Sequence, residues 1–223
     1  METALKLWKK VGMWFVLLVL IVIFTSISPA FRTIGNFGNI LKQISILGVA
    51  AVGISFVLIS GSVDLSIGSI IALEIVIMAK LLQADVPLAI VIIVGMLVAA
   101  VCSTINGLLA NTLKIPAFTI TLATMNIYQG TAWLISGGKV LGGFITSKIS
   151  VFATKYLFGF MPLMGLILII SSIAGIYILS KTYFGRHVYA IGGNREAARL
   201  AGINTNKTVI QIHIIAGFFY GMA

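Results

Sequence analysis

The chain has 223 residues, of which 60% are hydrophobic and only 9% are charged, and its mean hydropathy is +1.15. A soluble domain carries roughly 25% charged residues and cannot cover this much apolar surface, so the composition excludes a soluble globular protein. The net charge of +10 does not indicate nucleic-acid binding, because the basic residues lie between apolar segments, where they orient a membrane chain and meet anionic headgroups.

The apolar segments approach the length of about 20 residues that a helix needs to cross a bilayer, and they predict an all-α, polytopic transmembrane helix bundle. The first span, 11–29, is too long for the apolar part of a signal peptide, so we predict a retained helix. Segment 31–43 mixes apolar residues with Arg32 and Lys42, which predicts an interfacial amphipathic stretch. Further complete spans are predicted at 44–60, 66–83, 88–110, 116–136 and 162–180.

The end of the chain carries a hydrophilic segment, 181–207, and a last apolar run, 208–223. We therefore predict six complete spans and the start of a seventh in a single domain, 1–223. We expect that domain to be incomplete at its C-terminus, because a helix that stops in hydrocarbon leaves carbonyl groups without partners. The densest group of basic residues lies in 181–207, so the positive-inside rule places this segment and the N-terminus in the cytoplasm.

Small residues recur every four positions in the fourth span and again in the last run. They are Gly95, Ala99, Ser103 and Gly107, followed by Gly217 and Gly221. Such stripes let helices approach closely in lipid, which predicts a tightly packed bundle.

The fifth span is the most polar of the predicted helices. Its neutral side chains include Thr119, Thr124, Asn126 and Gln129. Hydroxyls and amides are unfavourable against lipid, so they should face the bundle or water. They fit either hydrogen bonds between helices or a pathway for a hydroxylated solute, and we name these four as candidate pathway residues.

Two acidic residues lie in or beside the third span. Asp64 precedes it in the loop that also contains Ser66 and leads to Gly68, and its carboxylate could cap the first N–H groups of the helix. Glu74 lies deeper, where a carboxylate is either functional or held by structural hydrogen bonds. The sequence leaves both readings of Glu74 open.

Segment 181–207 contains a predicted two-turn helix at 195–201. Gly192 and Gly193 permit a sharp turn before it, Asn194 suits the N-cap, and Gly202 suits the position after its C-terminus. Ala197, Leu200 and Ala201 give the helix a small apolar face, rimmed by Arg195 and Arg199, with Glu196 in the first turn. Such a helix fits either docking into a partner's groove or an ordinary interfacial loop.

No arrangement of residues typical of an enzyme emerges. His187 and His213 are far apart, Cys102 is isolated, and Asp64 and Glu74 are separated along the chain, so we predict neither a catalytic nor a metal site. A phosphate-binding loop is also missing, because the Gly138-Lys139 pair has no glycine five residues before it. We therefore expect no cofactor on this chain.

At this point the sequence resembles a known family, the permeases of ABC importers. The pattern Glu196-Ala197-Ala198 followed by Gly202 is similar to the cytoplasmic loop motif of these permeases. The string at 184–194 is similar to the branch that imports ribose, galactose, xylose and arabinose. Three other stretches agree, and they are Leu58 to Gly68, Ile105 to Leu109 and Pro116 to Met125.

The resemblance implies a bacterial inner-membrane permease that pairs with a second permease copy and receives a monosaccharide from a periplasmic sugar-binding protein. It also implies a cytoplasmic ATPase that hydrolyses ATP on its own subunit and docks at 192–202, within the coupling loop 181–207. Alternating access would then move the sugar. A permease for a branched-chain amino acid, an autoinducer sugar or a polyol is the alternative. An ion-coupled secondary transporter would not need a docking helix.

Overall fold

The computed structural model describes residues 2–139, 141, 155–157 and 161–223, with side chains from residue 11 onward. The described chain is helical throughout apart from turns and a pair of two-residue strands. Its elements are α1 (Glu2–Ile27), a 3-10 helix (Pro29–Arg32), α2 (Ile34–Ile59), α3 (Ile67–Gln83), α4 (Leu88–Leu113), α5 (Ala117–Ser136), β1 (Tyr156–Leu157), β2 (Met161–Pro162), α6 (Leu163–Lys181), α7 (Tyr183–Gly193), α8 (Arg195–Leu200) and α9 (Thr205–Met222). The predicted all-α class is confirmed.

The long helices pack in a row in the order α5, α3, α4, α9, α2 and α6. Helix α9 is the central element, because it packs on α4 on one side and on α2 on the other. Phe56 of α2 stacks on Phe219 of α9 with ring centroids 5.8 Å apart, and Tyr220 beside it is fully buried. The last helix along the chain therefore joins two halves of the bundle.

The predicted interfacial stretch at 31–43 is wrong as a separate element. Its residues from Ile34 onward form the first half of α2, which continues without a break to Ile59. Thr33 caps this helix by accepting the N–H of Asn36 at 3.2 Å, and no proline interrupts it. The ammonium group of Lys42 lies 4.7 Å from the ring centroid of Tyr156.

Helix α7 was not predicted, because segment 181–207 reads as hydrophilic when averaged. The Thr182 side chain caps α7 by accepting the N–H of Gly185 at 3.1 Å. Val188 and Ile191 are buried, while Tyr183 and Tyr189 are exposed. The helix is therefore amphipathic and lies with its apolar side on the bundle. Most of the predicted loop 137–160 lies outside the described residues.

By length and apolar composition, three helices of the described chain can cross a bilayer: α2, α4 and α6. Helix α3 has only 17 residues and contains Glu74 and Lys80, while the apolar part of α1, Val11–Ile27, falls just short of the usual length. The outward faces of the long helices are apolar, with Ile93 58% exposed and Ile173 62% exposed. Such surfaces suit hydrocarbon and not water.

Close contact between α4 and α9 confirms the prediction from small residues. A Cβ atom placed on Gly217 would lie 2.6 Å from the Cα of Ala100, and one on Gly221 would lie 2.7 Å from the Cα of Met96. A Cβ atom placed on Gly107 of α4 would lie 2.7 Å from Cδ2 of the His213 ring in α9. The two backbones approach as closely as glycine permits.

We expect Gly217→Ala to destabilise the chain by about 2 kcal/mol, because the added methyl group meets backbone atoms that cannot rotate away. SDS-induced unfolding in mixed micelles measures this loss. Gly130→Ala in α5 is the matched control, since nothing lies within 4 Å of its added Cβ and alanine favours a helix interior. Equal stability of the two variants would show that α4 and α9 do not need this approach.

Candidate functional site: a capped helix at one end of the bundle

The short helix α8 has both predicted cap residues in place. The Asn194 side chain accepts the N–H of Ala197 at 2.9 Å, and Gly202 follows the helix with a φ of +88°, which glycine adopts without strain. The N–H of Gly202 donates to the carbonyl of Arg199, and that of Ile203 to the carbonyl of Ala198. A six-residue helix is thus held at both ends.

The outer face of α8, which we define as Ala197, Leu200 and Ala201, is uncovered. Leu200 is 76% exposed, and both alanines are also exposed. Ala198 points the other way and is only 5% exposed, so it seats the helix on the protein. Three apolar residues at helical spacing therefore face away from the bundle without a partner in the described chain.

Gly192 and Gly193 end α7 with ordinary helical backbone, and the turn into α8 falls at Asn194, with φ −160° and ψ 107°. Gly192 has a different role from the predicted turn. A Cβ atom on it would lie 1.8 Å from the carbonyl oxygen of Ile59, whereas one on Gly193 meets nothing within 4 Å. Gly192 therefore lets α7 lie directly against the end of α2.

An ion pair borders the outer face of α8. The Arg199 guanidinium donates to both carboxylate oxygens of Glu196, with Nε 3.1 Å from Oε2. Both side chains are well exposed. The hydrogen bonds from Arg199 hold the pKa of the Glu196 carboxyl below its ordinary value of 4.5, and the same pair raises the pKa of Arg199.

We expect Arg199→Gln to raise the pKa of Glu196 towards its ordinary value, because the charged donor that stabilises the carboxylate is lost. The pKa of the Glu196 carboxyl is lower in the folded state, so its ion pair with Arg199 stabilises α8 above pH 4.5. This stabilisation disappears as the pH falls through the lowered pKa. NMR titration of the Glu196 carboxyl carbon measures both pKa values. An identical titration in the two proteins would mean that the pair does not form in solution.

A buried polar network connects the loop after α2 with α4 and α5. Asp64 Oδ1 accepts the N–H of Ser66 at 2.9 Å and its hydroxyl at 2.6 Å, so the carboxylate holds the N-cap residue of α3 and not the first helical N–H groups. Asn106 donates to Ser66 Oγ at 2.7 Å and accepts from the Tyr128 hydroxyl at 3.2 Å. Gly68, the remaining member of the predicted loop, is exposed in the first turn of α3.

The four candidate pathway residues of α5 do not come together. Thr124 is buried on the side of α5 that carries Tyr128, whereas Thr119, Asn126 and Gln129 are exposed on the opposite side. Asn126 donates only to the carbonyl of Leu122 in its own helix. Sequence analysis did not choose Asn106 or Tyr128 as candidate residues, although both occur at inward positions of their helices.

Among the cavities that open on the described bundle, two contain residues singled out from the sequence. One of about 990 Å³ lies beneath α8 and is lined by residues from three connections, including Gly61, Lys114 and Arg195, with His213 at its inner wall. The other, of about 490 Å³, is apolar and contains Glu74 in its wall. In the described residues, no group of three His, Cys, Asp or Glu side chains could hold a metal ion.

Comparison with known proteins identifies the class of this chain. Residues 36–223 match the family described as "Branched-chain amino acid transport system / permease component", so the chain belongs to this family of integral membrane permeases. No solved structure matches the chain.

Several of the similar curated proteins are named as sugar permeases. The chain is 34% identical to the ribose import permease protein RbsC of Haemophilus influenzae over 93% of this chain and 65% of that protein, and 33% identical to RbsC of Bacillus subtilis over 96% and 67%. It is 34% identical to the galactose/methyl galactoside import permease protein MglC of Haemophilus influenzae over 95% and 68%. The chain thus spans about two thirds of the length of these relatives, and the resemblance to monosaccharide permeases is confirmed.

Proposed function

We propose that this chain is the membrane-spanning permease part of an ATP-driven importer that carries a ribose-like monosaccharide across a bacterial inner membrane by alternating access. ATP would be hydrolysed on a separate cytoplasmic subunit docked on the outer face of α8. The observation that carries the proposal is that face: a short helix, capped at both ends, presents apolar residues that nothing in the described chain covers. The names of the sugar permeases that it resembles support the solute class.

The proposed topology has six complete spans, the start of a seventh and a cytoplasmic N-terminus. The loops after α2 and α4 line one cavity together with α8, so these connections lie at the same end of the bundle. If α1 and α2 each cross the membrane once, the start of α1 lies at the same end as the loop after α2. The same end carries the basic residues Lys114, Lys181 and Lys207, which favours the cytoplasm.

The solute pathway is proposed along the exposed polar side of α5. Thr119, Asn126 and Gln129 are unfavourable in lipid and need a polar neighbour, which a solute or a second permease copy would supply. They are neutral, whereas an amino acid would need groups for an ammonium and a carboxylate. This favours a sugar over the branched-chain amino acid in the family description. A periplasmic sugar-binding protein would deliver the solute.

We expect a gene for this ATPase beside the gene for the chain, and capture of its product tests the proposal. The wild-type chain in detergent should retain the ATPase, whereas Leu200→Asp should lose it, because a charge replaces the centre of the apolar face. The double variant Glu196→Ala, Gly202→Pro should also lose it. Tyr189→Asp on exposed α7 is the control and should capture normally. Undiminished capture by Leu200→Asp would refute docking on this face.

A further inference from the structure

Arg195, the first residue of α8, reaches back to the bundle and not towards the outer face. Its guanidinium Nη2 donates to Asn111 Oδ1 at 2.8 Å and to Asn206 Oδ1 at 3.1 Å. Asn111 lies in the last turn of α4 and Asn206 in the first turn of α9. The Asn111 amide also donates to the backbone carbonyl of Asn206 at 2.9 Å. Three hydrogen bonds therefore join the ends of three helices in a closed triangle.

The second arginine of α8 makes none of these contacts. Arg199 lies one turn further along the helix, and its hydrogen bonds go to Glu196 within α8 itself. The two arginines thus share a helix, a side-chain type and an exposed setting, yet only Arg195 connects α8 to other elements. Both arginines line the cavity beneath α8, but of the two only Arg195 can position the helix through hydrogen bonds to other helices.

We infer that Arg195 is a positioning residue that transmits movement of α8 to α4 and α9, an inference that rests on the proposed docking of an ATPase on α8. A helix of six residues is too short to keep its own orientation, so it must be held by its neighbours. The planar guanidinium can bind two acceptors at once in a fixed geometry, which an ammonium group cannot do as well.

Helices α4 and α9, which would receive this movement, are packed together as one unit. Helices α4 and α9 are in backbone contact through Gly217 and Gly221, so neither can move without the other. His213 of α9 bonds Ser103 of α4 at 3.3 Å and also forms the inner wall of the cavity beneath α8. A displacement of α8 carried through Arg195 therefore reaches the walls of that cavity.

The test compares Arg195→Ala, Asn111→Ala and the double variant with Tyr189→Ala, on the exposed side of α7, as the control. We expect all four to capture the ATPase as the wild-type chain does. The assay is uptake of radiolabelled D-ribose by vesicles that contain the chain with its ATPase and binding protein. Uptake should fall about fivefold in each single variant, because a charged hydrogen bond is lost. The double variant should show no further fall. Tyr189→Ala should transport normally.

Amide hydrogen exchange of the chain without partners supplies a second readout. Exchange in 197–203 should be faster in Arg195→Ala and in Asn111→Ala, although Asn111 lies on another helix, and unchanged in Tyr189→Ala. Asn111→Asp, which keeps the acceptor for Arg195, should restore both transport and slow exchange. These results would support the positioning role.

Two other outcomes overturn the inference, and they can be told apart. If Arg195→Ala loses the ATPase while Asn111→Ala keeps it, Arg195 contacts the partner, and the proposed function stands without the positioning role. Additive losses of transport in the double variant would mean that Arg195 and Asn111 act independently, which also removes the positioning role. If the wild-type chain captures no ATPase, the proposed function fails and the transmitting role fails with it.

Discussion

Gly192→Ala is expected to separate α7 from α2 and to destabilise the chain by about 3 kcal/mol, because the new Cβ would lie 1.8 Å from the carbonyl oxygen of Ile59. A backbone oxygen cannot rotate away, so one of the two helices must move. Helix α8 follows α7 across Asn194 alone and would move with it. Capture of the ATPase should therefore fall together with stability in SDS-induced unfolding.

Gly193→Ala is the control for this prediction, since it makes the same chemical change one residue later. Nothing lies within 4 Å of its added Cβ, so stability and capture should stay at the wild-type level. A similar loss in both variants would mean that this segment needs flexible backbone and not close contact with α2.

Asn106→Leu is expected to cost about 2 kcal/mol, although leucine has the same number and branching of side-chain heavy atoms as asparagine. The change removes the donor to Ser66 Oγ and one of the two acceptors of the Tyr128 hydroxyl at a buried site. Tyr128 still donates to the carbonyl of Cys102 at 2.9 Å, and Ser66 still donates to Asp64. Unfolding in SDS measures the loss of stability. Weaker attachment of α5 to α4 should also appear as faster amide exchange near Tyr128.

Asn126→Leu provides the matched comparison in α5. Its amide bonds only the carbonyl of Leu122 in the same helix, and the side chain is exposed, so the isolated chain should keep its stability. If Asn126 lines the pathway as proposed, the same variant should lower sugar uptake in the assembled transporter. Equal destabilisation by the two leucine substitutions would contradict the network described for Asn106.

The helices were predictable wherever proline or a turn marked a boundary. Pro87 and Pro116 directly precede α4 and α5, and the predicted starts of those spans differ from the observed ones by at most one residue. The boundary between 31–43 and 44–60 was wrong because it rested on charge, and charged residues such as Lys42 do not end a helix. Helix continuity depends on backbone hydrogen bonds, which a change in polarity does not interrupt.

The site was predictable where local rules apply and not where distant residues meet. Asn194 and Gly202 occupy their predicted cap positions because capping depends on neighbours within a few residues. The contacts of Arg195 with Asn111 and Asn206 depend on the packing of three helices, which the residue order does not reveal. Neither does it reveal which side of α5 faces α4, so Tyr128 was missed and Asn126 was chosen.

The length of α4 has a consequence for its fit to the lipid. Its 26 residues make a rod of about 39 Å, whereas the hydrocarbon layer is about 30 Å thick. The helix must tilt or protrude, and protrusion is favourable at the end that carries Asn111 and Thr112, because polar groups there reach the headgroups. A thicker bilayer would draw that end inward and α8 with it, so membrane thickness sets how far α8 stands above the lipid surface.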